Sequence, residues 1–383
     1  MPGEPADDDL PAALEAAMWA APPHELIDVA TGLLGRHAGA TGAEVLLVDY
    51  RQAFLVRTVP GDGEGVPVDN TAPGHAFAAQ RAIGEGDALH LPMTVKGERL
   101  GVLTVRLPDG GPGWLAAFAD ALARALKIAD GGTDLYRRLR RRTRLTLAAE
   151  MQWDLLPPPA YNAAEFRFAG QLEPAYAVWG DNFDWSVSAE KLTLTVSNGM
   201  GSGTRAAALT HLAISALRNA RRSGAGIVDQ AALGDQALFA RHRGDQHVAT
   251  LLLEFELGTG RVRVVDAGSP RIYRLRGGAT DAIDFDAQMP LGMFGDTRYT
   301  TEEFTVERGD RLVVVSDGVH GAQSPSGVPF GPDSLLQALR ATRLQDPPEA
   351  VRTVVRRFVE YHDEGEPADD AVIVCIDWTG RDR

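Results

Sequence analysis

Apolar and polar residues alternate with a period of two from Leu192 to Val196, where Thr193 and Thr195 separate Leu192, Leu194 and Val196. That pattern predicts a strand with one buried face. Gly199, Gly201 and Gly203 interrupt it, and Ala206 to Arg218 follows as an alanine-rich helix with Leu209, Leu212 and Leu217 available to a core. A polar turn between a strand and a helix N-terminus is well placed to hold ions. Further on, Leu251 to Leu257, Arg261 to Val265 and Arg271 to Leu275 read as successive strands joined by Gly258-Thr259-Gly260 and Ala267-Gly268-Ser269-Pro270, an antiparallel meander. Asp333 to Ala341 and Pro348 to Tyr361 read as helices, and Trp153, Trp179, Trp185 and Trp378 as packing residues.

The first third carries a different pattern. Leu10 to Ala20 and Pro23 to His37 read as helices, Glu44 to Asp49 and Ala53 to Val59 as strands. Leu89 to Val95 and Arg99 to Leu107 flank Lys96-Gly97-Glu98 as a hairpin, and Trp114 to Ile128 is amphipathic, with Leu115, Phe118, Leu122 and Leu126 on one side. Helices around an antiparallel sheet make an α+β domain. Gly131-Gly132-Thr133 then breaks the chain before Asp134 to Leu156, whose Leu135, Leu139, Leu147, Met151 and Leu155 predict one helix with an apolar stripe, ended by Pro157-Pro158-Pro159. Arg137, Arg138, Arg140, Arg141, Arg142 and Arg144 within it read as a solvated face that pairs with the chain's own carboxylates. The expected division is an acidic tail over 1–9, a first domain over 10–130, a linker helix over 131–159 and a second domain over 160–383.

Composition narrows the function. A formal net charge of -14 argues against a general nucleic-acid binder, and 44% hydrophobic residues are ample for real cores. No run of eighteen apolar residues predicts a membrane span, and the start of the chain has no signal-peptide pattern. Cys375, the lone cysteine, lies in an apolar run and reads as a buried thiol, which points to a cytoplasmic protein. His75, His90 and His211 read as surface or structural residues.

Candidate chemistry comes from acids placed where apolar runs begin or end. Gly180-Asp181-Asn182-Phe183-Asp184 precedes the glycine turn, Ser316-Asp317-Gly318-Val319 follows Val313-Val314-Val315, and Asp369-Asp370 directly precedes Ala371 to Ile376. Carboxylates gathered at strand ends repel one another unless hard cations neutralise them, and all-oxygen ligation suits Mg²⁺ or Mn²⁺.

With Ala149 to Pro158, Ser197-Asn198-Gly199-Met200-Gly201-Ser202-Gly203, Ala249-Thr250-Leu251-Leu252, Asp266-Ala267-Gly268-Ser269-Pro270 and Pro290-Leu291-Gly292, these motifs stand in the order of a known family. From Ala148 to Trp378 the chain resembles the SpoIIE-type serine phosphatases of the protein phosphatase 2C superfamily. The resemblance implies an α/β/β/α sandwich and a two-metal Mn²⁺ or Mg²⁺ site, with metal-held water, and no side chain, as the nucleophile on a serine or threonine phosphate. Carried over by position, Asp181, Asp317 and Asp369 are the ligands, with Asp184, Asn198, Gly199 and Asp370 as further candidates. Asn198 stands where the family has an aspartate bridging both metals. Two such ions sit only ~3.5–4 Å apart, and an amide brings them neither charge nor a second ligating oxygen. Ser269 replaces the usual histidine and Trp179 the usual first glycine.

The order of elements in residues 10–130 resembles a GAF domain, best over Leu89 to Leu107 and Pro73-Gly74-His75-Ala76-Phe77, with a PAS-like sensor as the near alternative, and implies a small-ligand sensor. By resemblance the partners are a phosphorylated signalling protein of the anti-sigma-factor antagonist type, in bacterial stress signalling, and a second copy paired through the linker helix and sensor domain. Three readings follow: a sensor-regulated metal-dependent phosphatase, a pseudophosphatase that binds a partner through the same groove, or a sensor-dimer scaffold whose second domain merely transmits conformation.

Overall fold

The alternation along these strands is resolved by which faces find a cover. In a computed structural model of the chain, residues 10–58, 65–108, 110–142, 145–173, 178–323, 327, 330, 332–362 and 369–381 are described. The predicted tail over 1–9, Val59 and Arg144 lie outside the described residues. Contacts divide the chain into two units, Met1–Arg144 and Leu145–Arg383.

The first unit contains α1 (Leu10–Ala20), α2 (Leu26–His37), β1 (Gly42–Val48), β2 (Phe54–Arg57), β3 (Val66–Pro67), α3 (Ala72–Ala79), β4 (Ile83–Glu85), β5 (Ala88–Val95), β6 (Glu98–Arg106), α4 (Leu115–Ala129) and α5 (Leu135–Arg140). Its strands form one antiparallel sheet in the order β3-β2-β1-β6-β5-β4. The run Val45-Leu46-Leu47-Val48 does not alternate because both faces are covered. Val45 and Leu47 join the core made with α1, α2 and α4, while Leu46 and Val48 meet Phe77 of α3 on the other side. The predicted hairpin closes on Lys96 and Gly97, at φ 52 and 95, the left-handed pair that a two-residue connection demands.

The predicted single helix over Asp134 to Leu156 is two helices, α5 and α6 (Leu147–Leu155). Arg141 is extended at φ -83 and ψ 108, and the Thr146 hydroxyl accepts from Ala149 N at 3.2 Å to start α6 afresh. α5 stays with the first unit: Tyr136 is buried there and donates to Pro23 O, and Arg140 Nε donates to Val48 O at 2.8 Å. Arg140 and Arg142 of the basic run lie over the Tyr50 and Phe54 rings, while Arg137 Nε lies 3.9 Å from Asp130.

The second unit has α6, β7 (Ala160–Asn162), β8 (Phe166–Glu173), β9 (Asn182–Val187), β10 (Lys191–Gly199), α7 (Gly203–Arg222), α8 (Ile227–His242), β11 (Val248–Glu256), β12 (Arg261–Ala267), β13 (Arg271–Arg276), β14 (Ala279–Ile283), β15 (Glu302–Thr305), β16 (Arg311–Val315), α9 (Asp317–His320), α10 (Pro332–Ala341), α11 (Pro347–Tyr361) and β17 (Ala371–Trp378). Two antiparallel sheets, β15-β12-β11-β10-β9 and β14-β13-β16-β17-β8-β7, enclose a core that includes Leu192, Leu194, Val196, Phe255, Val314 and Val374. α7 and α8 cover the first sheet and α11 the second, giving the expected α/β/β/α sandwich. The threonine face of β10 was expected in solvent. Instead Thr193, Thr195 and Ser197 are buried, because α7 packs over this sheet and Ser197 pairs with Thr250 at 3.1 Å.

Candidate functional site

Antiparallel pairing decides which residues meet. In the first sheet Ser197 lies opposite Asn182, which sets Asn198 beside Asp181 at the end of β10 and the start of β9. In the second sheet Val315 lies opposite Ile373, which sets Ser316 and Asp317 beside Asp369 and Asp370 where β16 ends and β17 begins. Ser316 N donates to Val372 O at 3.0 Å and Val372 N donates back to the Ser316 hydroxyl at 2.9 Å, which extends the ladder to the site itself. Gly318 must be glycine, since a Cβ there would lie 1.8 Å from Asp370 O. The two layers thus bring the candidate acids to one end of the sandwich.

The acids differ in what holds them. Asp370 is fully buried, and its Oδ2 accepts from Trp179 N at 2.7 Å, Gly180 N at 2.8 Å, Asp181 N at 3.3 Å and Gln152 Nε2 at 2.7 Å. Its charge therefore organises the loop before β9 as a nest of donors. Asp184 points away to α7, where Arg218 Nη2 lies at 2.8 Å and Arg221 Nη2 at 2.9 Å from its oxygens. Arg218 also donates to Leu155 O at 2.6 Å, pinning the end of α6. Gly199 closes β10, where a Cβ would lie 2.6 Å from Thr210 Oγ1.

Asp317 is held by two of the three residues that depart from the family pattern, Asn198 and Ser269. Asn198 Nδ2 donates to its Oδ1 and Ser269 Oγ donates to its Oδ2 at 3.0 Å, while Gly318 N adds a bond of 2.9 Å to Oδ1. The amide nitrogen must face Asp317, because the amide oxygen there would oppose a carboxylate. His320 Nε2 lies 3.1 Å from Ser269 O and, facing a carbonyl, carries the proton. Burial lowers this imidazole below its ordinary range.

The remaining electrostatics are those of uncompensated acids. Burial, then the charges of Asp317, Asp370 and Asp369, push the Asp181 carboxyl well above its usual range. Burial and Asp317 push Asp369 up to about 6. Asp181 Oδ2 and Asn198 Oδ1 are buried without a hydrogen-bond partner. Among the described residues no three His, Cys, Asp or Glu side chains converge as a metal cage. The donor set falls short of a two-cation centre at Asn198, whose amide brings neither charge nor a second ligating oxygen, while Asp317 accepts two bonds on Oδ1 and one on Oδ2.

Sequence reasoning missed Gln152, although it stands inside the quoted lead-in Ala149 to Pro158. Its amide donates to Asp181 O at 2.6 Å as well as to Asp370. Trp179 also departs from expectation, being 37% exposed at the edge of the site because its backbone is committed to Asp370. Of the histidines, His90 is buried against Thr104 at 2.9 Å, and His75 and His211 are exposed.

The family model for stage II sporulation protein E (SpoIIE) matches residues 188–379, half of the chain. No curated protein sequence matches. Among solved structures, the SiaA-PP2C domain of Pseudomonas aeruginosa is 21% identical at a TM-score of 0.49, covering 56% of this chain and 86% of that one. The PP2C phosphatase domain with a fragment of the regulatory domain of SpoIIE from Bacillus subtilis is 19% identical at 0.49, covering 58% and 64%. The RsbU and RsbW domains of Rv1364c from Mycobacterium tuberculosis are 18% identical at 0.46, covering 57% and 61%. On the match of its second half, in the order of motifs that meet at one end of the sandwich, the chain belongs to the SpoIIE family of PP2C-like phosphatases.

Proposed function

We propose that this chain is a catalytically impaired SpoIIE-family phosphatase that engages a signalling protein through the groove around its acid cluster, under control of the first unit. One observation carries the reading: Asn198 and Ser269, two of the three replaced positions, both donate to Asp317 and hold it as a hydrogen-bonded acceptor. A carboxylate so engaged keeps room for one further partner on Oδ2, and the neutral amide leaves the site one negative charge short. The partner class implied by the family is a phosphorylated anti-sigma-factor antagonist or a protein like it. The sensor role of the first unit rests on its helix-flanked antiparallel sheet.

The test is Mn²⁺-dependent phosphate release from a phosphoserine protein. The natural chain is expected to match Asp317→Ala at background, and Asn198→Asp combined with Ser269→His to rise above both. Turnover by the natural chain that disappears in Asp317→Ala overturns the proposal. That second, active reading is favoured by the orphaned Asp181 Oδ2 and Asn198 Oδ1, which with Asp369 are the groups that would hold a single cation. When bound, such a cation supplies charge neutralisation and Lewis acidity at the phosphate.

A further inference from the structure

The first unit has a small cleft of about 30 Å³ between α4, α5 and the face of the sheet that α4 covers. Leu47 of β1, Leu100 of β6, Leu126 of α4 and the Tyr136 ring of α5 give it apolar walls. Two acids and two bases complete the lining, and they are not equally engaged. Glu98 is 5% exposed and accepts from Lys127 Nζ at 2.7 Å, so that pair is closed on itself. Arg140 is spent on the Val48 carbonyl and on the Tyr50 ring, whose centre lies 4.8 Å from its guanidinium carbon. Asp130 is left. Arg137 Nε stands 3.9 Å from its Oδ2, beyond hydrogen-bond reach, and its Oδ1 is buried without a hydrogen-bond partner.

A buried carboxylate oxygen is an acceptor that costs free energy until a donor reaches it. Position favours a cationic donor, because Asp130 is the C-cap of α4 and the last carbonyls of that helix add negative charge at the same end. Volume limits its size: the cleft takes an ammonium group or a pair of waters, and no nucleotide or ring system. The leucine walls suit the first carbons of an alkyl chain. We infer that the cleft between α4 and α5 binds a primary ammonium group on a short alkyl chain, which donates to Asp130 Oδ1. Occupancy braces α5, the last element of the first unit, against α4. The inference gives the sensor reading of the first unit a place and a ligand class, and it stands apart from the fate of the acids in the second.

Saturation-transfer NMR on the full chain, at fixed ionic strength, compares titrations of ethylammonium and tetramethylammonium. Ethylammonium is expected to receive saturation and tetramethylammonium none, because the second cation carries the same charge and has no N–H to donate. Asp130→Asn should weaken ethylammonium binding at least about tenfold, while Asp134→Asn, exposed at the start of α5, should leave it unchanged. Hydrogen exchange on the natural chain should slow in α5 and the last turn of α4 when ethylammonium is present, which locates the site even if Asp130→Asn does not fold. Equal saturation of the two cations, binding that survives Asp130→Asn, or slowing confined to other elements overturns the inference. So does the absence of binding, in which case water alone fills the cleft. None of these outcomes bears on the second unit, whose reading is scored separately by phosphate release.

Discussion

Asp370→Ala should unfold the second unit more readily than removal of any other acid in the cluster. The alanine leaves the backbone N–H groups of Trp179, Gly180 and Asp181 and the Gln152 amide without their acceptor, in a place of no solvent exposure. Each buried donor so stranded costs about 1–3 kcal/mol, and water entering the vacated space recovers part, so the net is about 4 kcal/mol. For a unit of this size that is a fall in melting temperature of about 8–16 °C. Asp370→Asn keeps an acceptor and loses the charge, and should cost about 1–2 kcal/mol. Asp369→Ala removes a half-buried carboxylate already pushed up by its neighbours and should be close to neutral. Calorimetry on the three variants decides the matter. If Asp370→Ala costs less than about 1 kcal/mol, or no more than Asp369→Ala, the account of Asp370 as the organiser of this loop is wrong.

Other outcomes follow from the same geometry. Arg218→Ala leaves the buried Asp184 to Arg221 and strands the Leu155 carbonyl, and urea unfolding should show a loss of about 2 kcal/mol. Gly318→Ala forces a methyl group into Asp370 O and should cost at least about 3 kcal/mol, measured the same way. The Asp369 carboxyl titrates near 6 in the fold against 3.8 unfolded, so between those values the native state holds a proton that the unfolded chain has lost. Stability should therefore fall as pH rises through that window and level off above it, by roughly 1–2 kcal/mol after solvent screening, and Asp369→Asn should flatten a melting-temperature profile taken without divalent cations. Cys375, buried with its thiol pushed up to about 12, should react with a thiol reagent only at the rate of unfolding.

The sandwich was legible because its strands carry strong periodicity and its motifs sit where strands end; register then does the rest, as with Ser197 opposite Asn182. What lay beyond the sequence was the state of each acid. Asp181, Asp184 and Asp370 look alike in a string, yet one is crowded by like charges, one is bound by two arginines and one caps a loop. Those fates depend on α6 and α7, whose contributions Gln152 and Arg218 lie far away in the chain. The helix over Asp134 to Leu156 was misread for the opposite reason: its apolar stripe is real, but it is spent in separate places, Leu135 against the first unit's core and Leu155 in the second unit.

The three-way contact of Asn198, Asp317 and Ser269 also bears on how this site can change over generations. Restoring an aspartate at 198 alone would set two carboxylates against each other where a donor now meets an acceptor. The cost falls on the fold, and only a cation captured at the same moment offsets it. Ser269 adds a second donor that the same reversal leaves in place. Under the proposed reading, a change to aspartate at 198 therefore meets a barrier in stability, and the cation that would lower it has to arrive with the carboxylate.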